Sequence, residues 1–178
     1  MSHGSIINII VAGTGGQGVF TLSNIIRKLA VNKGLKCEGA TYKGGAQRMG
    51  SIHSELRILT DKNSDLQFSS SIPAGAVHLL IGMEPWEALR FADRCNEKSN
   101  TVINSNIEKL YVERIRKNKL MDPVETLKTV FKAPVISNYE QLAKEELEQT
   151  NFIMLKTAIA NGYLPFTIKE LEAIKIKK

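Results

Sequence analysis

Two glycine-rich stretches hold the residues best suited to chemistry. In "VAGTGGQGVF" (11–20), Gly13, Gly15 and Gly18 have the GxGxxG spacing of a phosphate-binding turn, with Gly16 and Gln17 set between them. Without a Cβ, such residues let main-chain N–H groups approach an anion, and a helix beginning there adds free amides and a partial positive charge. Glu38 lies 20 residues after Gly18, where a dinucleotide-binding unit keeps its ribose-binding acid. The same glycines would also serve a tight turn and close helix–strand packing, and the motif alone does not choose. In the second stretch, "YKGGAQRMGS" (42–51), Lys43, Gln47 and Arg48 stand on a glycine-rich backbone with no packing pattern. Arg and Gln can hold carboxylate, phosphate or amide groups in fixed geometry. The bland alternative is a solvated surface loop.

Reacting groups are scarcer. The chain has two cysteines, Cys37 and Cys95, and three histidines, His3, His53 and His78. Two thiols cannot ligate an iron–sulfur cluster, which takes four, nor complete a zinc site with scattered histidines. No GxSxG elbow, HExxH pair or Walker lysine is present. His53 and His78 fall in strand-like runs and read as structural. Glu84, just before Pro85, reads as an acid serving a helix N-terminus. The expectation is a binding surface of Gly13, Gly15, Gly16, Gln17, Gly18, Lys43, Gln47 and Arg48, with no catalytic and no metal-ligating residue. The chain would hold part of a site.

The 178 residues are enough for one domain with one sizeable core. Of these, 43% are hydrophobic and 24% charged, ordinary for a globular protein. The net charge of +6 is uneven: residues 1–60 carry seven Lys or Arg against Glu38 and Glu55 alone. A basic end beside a glycine loop suits an anionic ligand or an acidic partner, or is simply a solvated face. Aromatics make up only 6% and do not interleave with the basic residues, so nucleic acid is not expected. No apolar run reaches the length of a membrane span, and the N-terminus lacks a secretory signal. The cysteines read as buried thiols, on a strand and a helix, of a cytoplasmic protein.

The elements must place the two loops together. "IINIIVA" (6–12) is a β-branched apolar run and reads as a buried parallel strand. The following segment has Leu22, Ile25, Ile26, Leu29 and Ala30 at helical spacing, with Gly34 as its stop. Residues 35–42 form a second strand. Residues 52–59 alternate and predict a half-exposed strand, antiparallel at an edge. Residues 61–75 read as a polar connection. Strands follow at 76–83, 100–105 and 133–138, and helices at 84–95, 122–132, 139–147 and 150–162. Thr167 and Glu170 make a capping box for a last helix. The pattern predicts a single-domain α/β fold: a Rossmann-like, doubly wound, mostly parallel sheet, with helices on both faces and a helical C-terminal part.

Taken in order, "GTGGQGVFTLSNII", "YKGGAQRMGSIHSELRI" and "AVHLLIGMEPWEALRF" resemble the gamma subunit or domain of the 2-oxoacid:ferredoxin oxidoreductases. The resemblance is nearest to the beta subunit of the indolepyruvate enzymes, itself a gamma-type domain. It runs over residues 7–105 and more loosely through "NFIMLKTAIANGYLP". It implies that Gly16 and Gln17 belong to a GGQG signature. It also implies a multi-subunit enzyme that decarboxylates a 2-oxoacid on thiamine diphosphate, passes electrons through Fe–S clusters to ferredoxin, and forms an acyl-coenzyme A. In that family the thiamine diphosphate and the clusters belong to other subunits, a thiamine-binding one and a ferredoxin-like one. The gamma part shapes the coenzyme A side, so this chain alone would bind no cofactor and be inactive, and residues 1–178 would be one gamma-type domain. Tyr42-Lys43-Gly44-Gly45 and Met49 depart from the indolepyruvate pattern, which leaves 2-oxoglutarate or a branched-chain oxoacid open. The competing reading is a free-standing Rossmann oxidoreductase using NAD(P) or flavin, with Glu38 on the ribose.

Overall fold

The computed structural model describes residues 5–45, 50–108 and 121–176. Its elements are β1 (Ile6–Thr14), α1 (Val19–Asn32), β2 (Lys36–Lys43), β3 (Ser51–Leu59), β4 (Val77–Gly82), α2 (Pro85–Arg90), β5 (Cys95–Asn104), α3 (Pro123–Val130), β6 (Val135–Ser137), α4 (Tyr139–Glu145), α5 (Thr150–Ala160) and α6 (Ile168–Ile176). One six-stranded sheet runs in the order β2-β3-β1-β4-β5-β6. The pairs β1/β4, β4/β5 and β5/β6 are parallel, and only β3 is reversed.

The apolar run of β1 is the centre of the core. Strand side chains alternate between faces, and both faces of β1 are covered. Ile9 and Val11 pack with α1, α4, α5 and α6, while Ile10 and Ala12 pack with α2 and α3. Helices thus lie on both faces, as the alternation of elements predicts. In α2 the buried positions are Pro85, Glu87 and Ala88. Trp86, Leu89 and Phe91 are half-buried.

Three expectations need correction. The strand expected at an edge, β3, lies inside the sheet between β1 and β2. Its Glu55 is buried because the N–H of Ile72 donates to it at 2.8 Å and Arg94 lies at 3.4 Å. That partnership also buries Ile72, at 2% exposure, in a connection that otherwise reads as polar. Cys95 begins β5 and is not on a helix, since the chain after α2 makes only a 3-10 turn at Ala92–Arg94. Both cysteines are half-buried.

The helix ends follow local rules. Helices α1 and α5 stop in matching motifs: the N–H of Leu35 reaches Ala30 O at 2.9 Å and that of Tyr163 reaches Ala158 O at 3.0 Å. In each, the residue before it is a glycine at positive φ, Gly34 at 72° and Gly162 at 73°. Helix α4 ends the same way, with Glu148 N–H on Ala143 O at 2.8 Å. There the left-handed position is held by Leu147, at φ 52°. The capping box before α6 is formed: Thr167 N–H donates to Glu170 Oε2 at 2.7 Å, and Glu170 N–H donates to Thr167 Oγ1 at 3.2 Å. Thr167→Ala is expected to cost about 1 kcal/mol and to lower Tm by about 2–4 °C in a thermal melt. An unchanged Tm would mean that this cap contributes nothing to the fold.

Candidate functional site

The chain leaves β1 for one side of the sheet, to α1, β2 and β3, and returns to add β4, β5 and β6 on the other. The crevice between the C-terminal ends of β1 and β4 is therefore the switch point where ligands of such sheets bind. The glycine loop sits there. Met83, at the end of β4, donates its N–H to Ala12 O at 2.7 Å.

Three glycines of the loop are required for separate reasons. A Cβ on Gly13 would lie 2.8 Å from both Gln17 Oε1 and Met83 Cβ. Gly16 adopts φ 100° with open space around it. Gly18 adopts φ 87°, and a Cβ there would lie 2.6 Å from Asn151 Nδ2. Gly15 donates its N–H to Gly50 O at 3.0 Å, joining the loop to the end of the second glycine-rich stretch. Gln17 turns inward: its Oε1 accepts from Thr14 N–H at 2.8 Å, and its Nε2 donates to Glu108 Oε1 at 3.0 Å. Both ends of this amide are engaged within the chain, so Gln17 braces the turn.

Helix α1 starts at Val19 with Gly18 as N-cap, no side-chain cap and no acidic residue in the first turn. Its leading amides are left to solvent or to a ligand. They border a cleft of about 600 Å³, lined by the loop, Thr21, Asn104, Lys144 and Asn151 among others. Glu140 and Glu148 also line it. Donors and a positive helix end thus come from α1, while the chain from α4 to α5 brings Glu140, Lys144 and Glu148.

Asn104 and Asn151 give no signal in the sequence beyond being polar residues in apolar runs. Asn104 is 1% exposed. It donates to Met83 O at 3.3 Å and accepts from Tyr139 N–H at 3.1 Å, tying β4, β5 and α4 together at the cleft. Asn151 packs its amide against Gly18 from a position 133 residues away in the chain.

The second loop meets the first through β3, whose Ser51 pairs with Thr14 of β1. Lys43 ends β2 and is exposed; it does not line the cleft. Gln47 and Arg48 lie outside the described residues. Glu38 is exposed on edge strand β2, with β3 between it and β1. In a dinucleotide-binding unit β2 is the neighbour of β1. The interposed strand moves Glu38 roughly 5 Å further away, and the ribose reading loses its geometry.

Glu84 serves the start of α2 as expected, accepting from Glu87 N–H at 3.0 Å. It is fully buried. Loss of solvation pushes its carboxyl up from 4.5 to about 7, against the hydrogen bonds of nearby amides. Glu87, also buried, accepts from Ser51 Oγ at 2.6 Å and so pins the base of the second loop to α2. Burial raises both Cys37 and Cys95 to about 11, which keeps them as thiols. His53 stacks on Tyr42 and meets the Phe91 ring at a tilt of 47°, with its pKa lowered by burial. His78 Nδ1 accepts from Asn8 N–H at 3.0 Å. Both histidines serve the sheet. Among the described residues no group of three or more His, Cys, Asp or Glu is placed to hold a metal ion, and no helix is long and apolar enough to cross a membrane.

Known proteins agree with this arrangement. The family described as pyruvate ferredoxin/flavodoxin oxidoreductase matches residues 8–175. The indolepyruvate oxidoreductase subunit IorB of Archaeoglobus fulgidus is 31% identical over 173 residues, covering 93% of this chain and 82% of that protein. The keto/oxoacid ferredoxin oxidoreductase gamma subunit of Geobacter sulfurreducens has the same fold at 15% identity, with a TM-score of 0.62 over 97% of this chain and 86% of its own. The 2-oxoglutarate:ferredoxin oxidoreductase of Magnetococcus marinus, solved with 2-oxoglutarate, coenzyme A and succinyl-CoA bound, superposes with a TM-score of 0.68 at 13% identity. The match there covers 95% of this chain and 26% of that one. With the family match spanning residues 8–175 and a relative 31% identical along 93% of its length, the chain belongs to the pyruvate ferredoxin/flavodoxin oxidoreductase family.

Proposed function

We propose that the chain is the gamma-type subunit of a 2-oxoacid:ferredoxin oxidoreductase, with residues 1–178 as its one gamma-type domain. The observation that carries this reading is a crevice built to bind but not to react. Helix α1 offers uncapped amides beside a glycine loop, while His53, His78 and Glu84 are engaged in the sheet and the α2 start. The complex would oxidise a 2-oxoacid to its acyl-coenzyme A and deliver electrons to ferredoxin in the cytoplasm. A thiamine-diphosphate-binding subunit and a ferredoxin-like Fe–S subunit would supply the reacting groups, since two thiols held protonated do not make a cluster site. Indolepyruvate stands first among the oxoacids on the likeness to IorB.

Coenzyme A supplies the thiol that takes the acyl group, and its phosphates suit the residues present. The α1 amides and the backbone of Gly16 and Gly18 would receive an anion, with Gln47 and Arg48 adding donors from the second loop, while Gly13 and Gly15 shape the turn and Lys43 stands outside the cleft. Gln17 would act by holding the turn. Glu140 and Glu148 favour ligand groups that donate hydrogen bonds, and Lys144 beside them offers one further cation to an anion.

Reconstitution with the thiamine-binding and Fe–S subunits tests this. Arg48→Ala is expected to raise the KM for coenzyme A by about tenfold, as loss of one charged hydrogen bond does, with assembly intact. The chain alone should show no cluster or flavin spectrum and no NAD-dependent turnover. Activity of the isolated chain would overturn the reading. An Arg48→Ala chain that fails to assemble would make that residue an interface anchor and remove its ligand role.

A further inference from the structure

Two helices, not one, begin at the glycine-loop cleft. Helix α5 starts at Thr150 with Gln149 as N-cap, no side-chain cap and no acidic residue in its first turn. Thr150 and Asn151 line the cleft together with Gly16 and Gly18, which lead into α1. The N–H groups of Phe152 and Ile153 turn back on Gln149 O, at 3.0 and 3.1 Å. Those of Thr150 and Asn151 have no intrahelical partner. The two helix starts touch, with Asn151 Nδ2 lying 3.5 Å from Gly18 O. Two positive helix ends side by side repel each other, and an anion between them relieves that repulsion. Lys144 lines the same cleft and makes no ion pair among the described residues.

A bare phosphate would leave the acceptors of the cleft unused. Asn151 is 6% exposed, and its Oδ1 is buried without a hydrogen-bond partner. A buried oxygen in that state is costly unless a ligand donor meets it. An anion cannot donate to it, whereas a hydroxyl can. Glu140, half-buried on α4, lines the cleft as well and receives only a long contact, 3.5 Å, from Asn104 Nδ2. A carboxylate repels a phosphate and accepts from a hydroxyl. Donors for an anion and acceptors for hydroxyls therefore share one cleft, and a phosphorylated sugar carries both groups.

We propose that this cleft binds a sugar phosphate, with its phosphoryl group between the starts of α1 and α5 beside Lys144 and a sugar hydroxyl on Asn151 Oδ1. The inference deepens the coenzyme A reading, since it names the phosphorylated ribose as the end this chain holds. It rests on that reading only for the source of the ligand.

Calorimetric titration of the purified full-length chain with ribose 5-phosphate, inorganic phosphate and ribose is the test. Ribose 5-phosphate is expected to bind about tenfold more tightly than inorganic phosphate, the gain from one hydrogen bond to a buried acceptor. Ribose alone should not bind measurably. Lys144→Gln should weaken both phosphates by about fivefold, with the larger effect at low salt. Asn151→Ala should leave inorganic phosphate unchanged and bring ribose 5-phosphate down to the same affinity, whereas a purely structural residue would weaken both. The ranking of the three probes on the wild type decides the proposal even where a variant fails to fold. Equal affinity for ribose 5-phosphate and inorganic phosphate, or no binding of either, overturns it. Neither result touches the subunit role, which reconstituted turnover decides. Coenzyme A that displaces ribose 5-phosphate makes its own ribose phosphate the ligand. Ribose 5-phosphate that stays bound supports a site for a free sugar phosphate and overturns the link to coenzyme A.

Discussion

Gly18→Ala is expected to destabilise the chain by about 3 kcal/mol and to lower Tm by about 6–12 °C. Two costs add. Gly18 sits at φ 87°, where a Cβ costs about 1–2 kcal/mol. The new methyl would also fall 2.6 Å from Asn151 Nδ2 and 3.4 Å from Asn151 Cγ. Asn151 is 6% exposed, in the first turn of α5 where that helix meets the start of α1, so it has little room to move, and overpacking of this kind costs about 1–3 kcal/mol. Gly16→Ala separates the terms. It has φ 100° and nothing within 4 Å, so only the strain of about 1–2 kcal/mol applies. In an Asn151→Ala background the penalty of Gly18→Ala should fall to that of Gly16→Ala, a coupling of about 1 kcal/mol or more. Denaturant unfolding of the singles and the double measures it. If Gly18→Ala costs no more than Gly16→Ala in the wild-type background, Asn151 is not what demands glycine at the helix start.

The same contact shows where sequence reading stops. β1 and α1 are legible because each carries its own period: a β-branched run buried on both faces, and Leu22, Ile26 and Leu29 on one helical stripe. The glycine loop between them follows from the same local pattern. The place of β3 does not. Its alternation looks like a strand with one wet face, but Glu55 is buried by Ile72 and by Arg94, which lies 39 residues on. An edge strand and an interior strand with a buried ion pair read alike until the partners are placed. Asn151 is invisible for the same reason, since it reaches the loop only when α5 docks beside α1. Gln17 shows the converse case. Its side chain suits a ligand, yet Thr14 and Glu108 take both ends of the amide. The family was legible because the three motifs keep their order, not because any one of them specifies a reaction.

Glu84→Gln is expected to remove a fall in stability that the wild type shows between pH 5 and pH 8. The folded chain raises this carboxyl from 4.5 to about 7. A raised carboxyl binds its proton more tightly in the folded state, so unfolding releases protons across that window. The stability tied to the neutral form is complete below pH 4.5 and is lost as the pH climbs through about 7. The gap is worth at most about 3 kcal/mol. Burial drives the shift, the Glu87 charge adds to it, and the amides of Glu87, Trp86 and Glu108 oppose it. His53 works in the other direction: burial lowers its pKa, so the stability tied to its neutral form grows as the pH rises toward 6.5 and is complete above it. The informative quantity is therefore the difference between variant and wild type, in which His53 and the exposed groups cancel. The substituted glutamine keeps an oxygen to accept the Glu87 N–H that begins α2, so the cap survives and only the titration is removed. Relative to wild type, the variant should gain up to about 3 kcal/mol between pH 5 and pH 8. Unfolding curves that stay parallel across this range would show that Glu84 keeps its charge in the folded chain, with the neighbouring amides outweighing the loss of solvent.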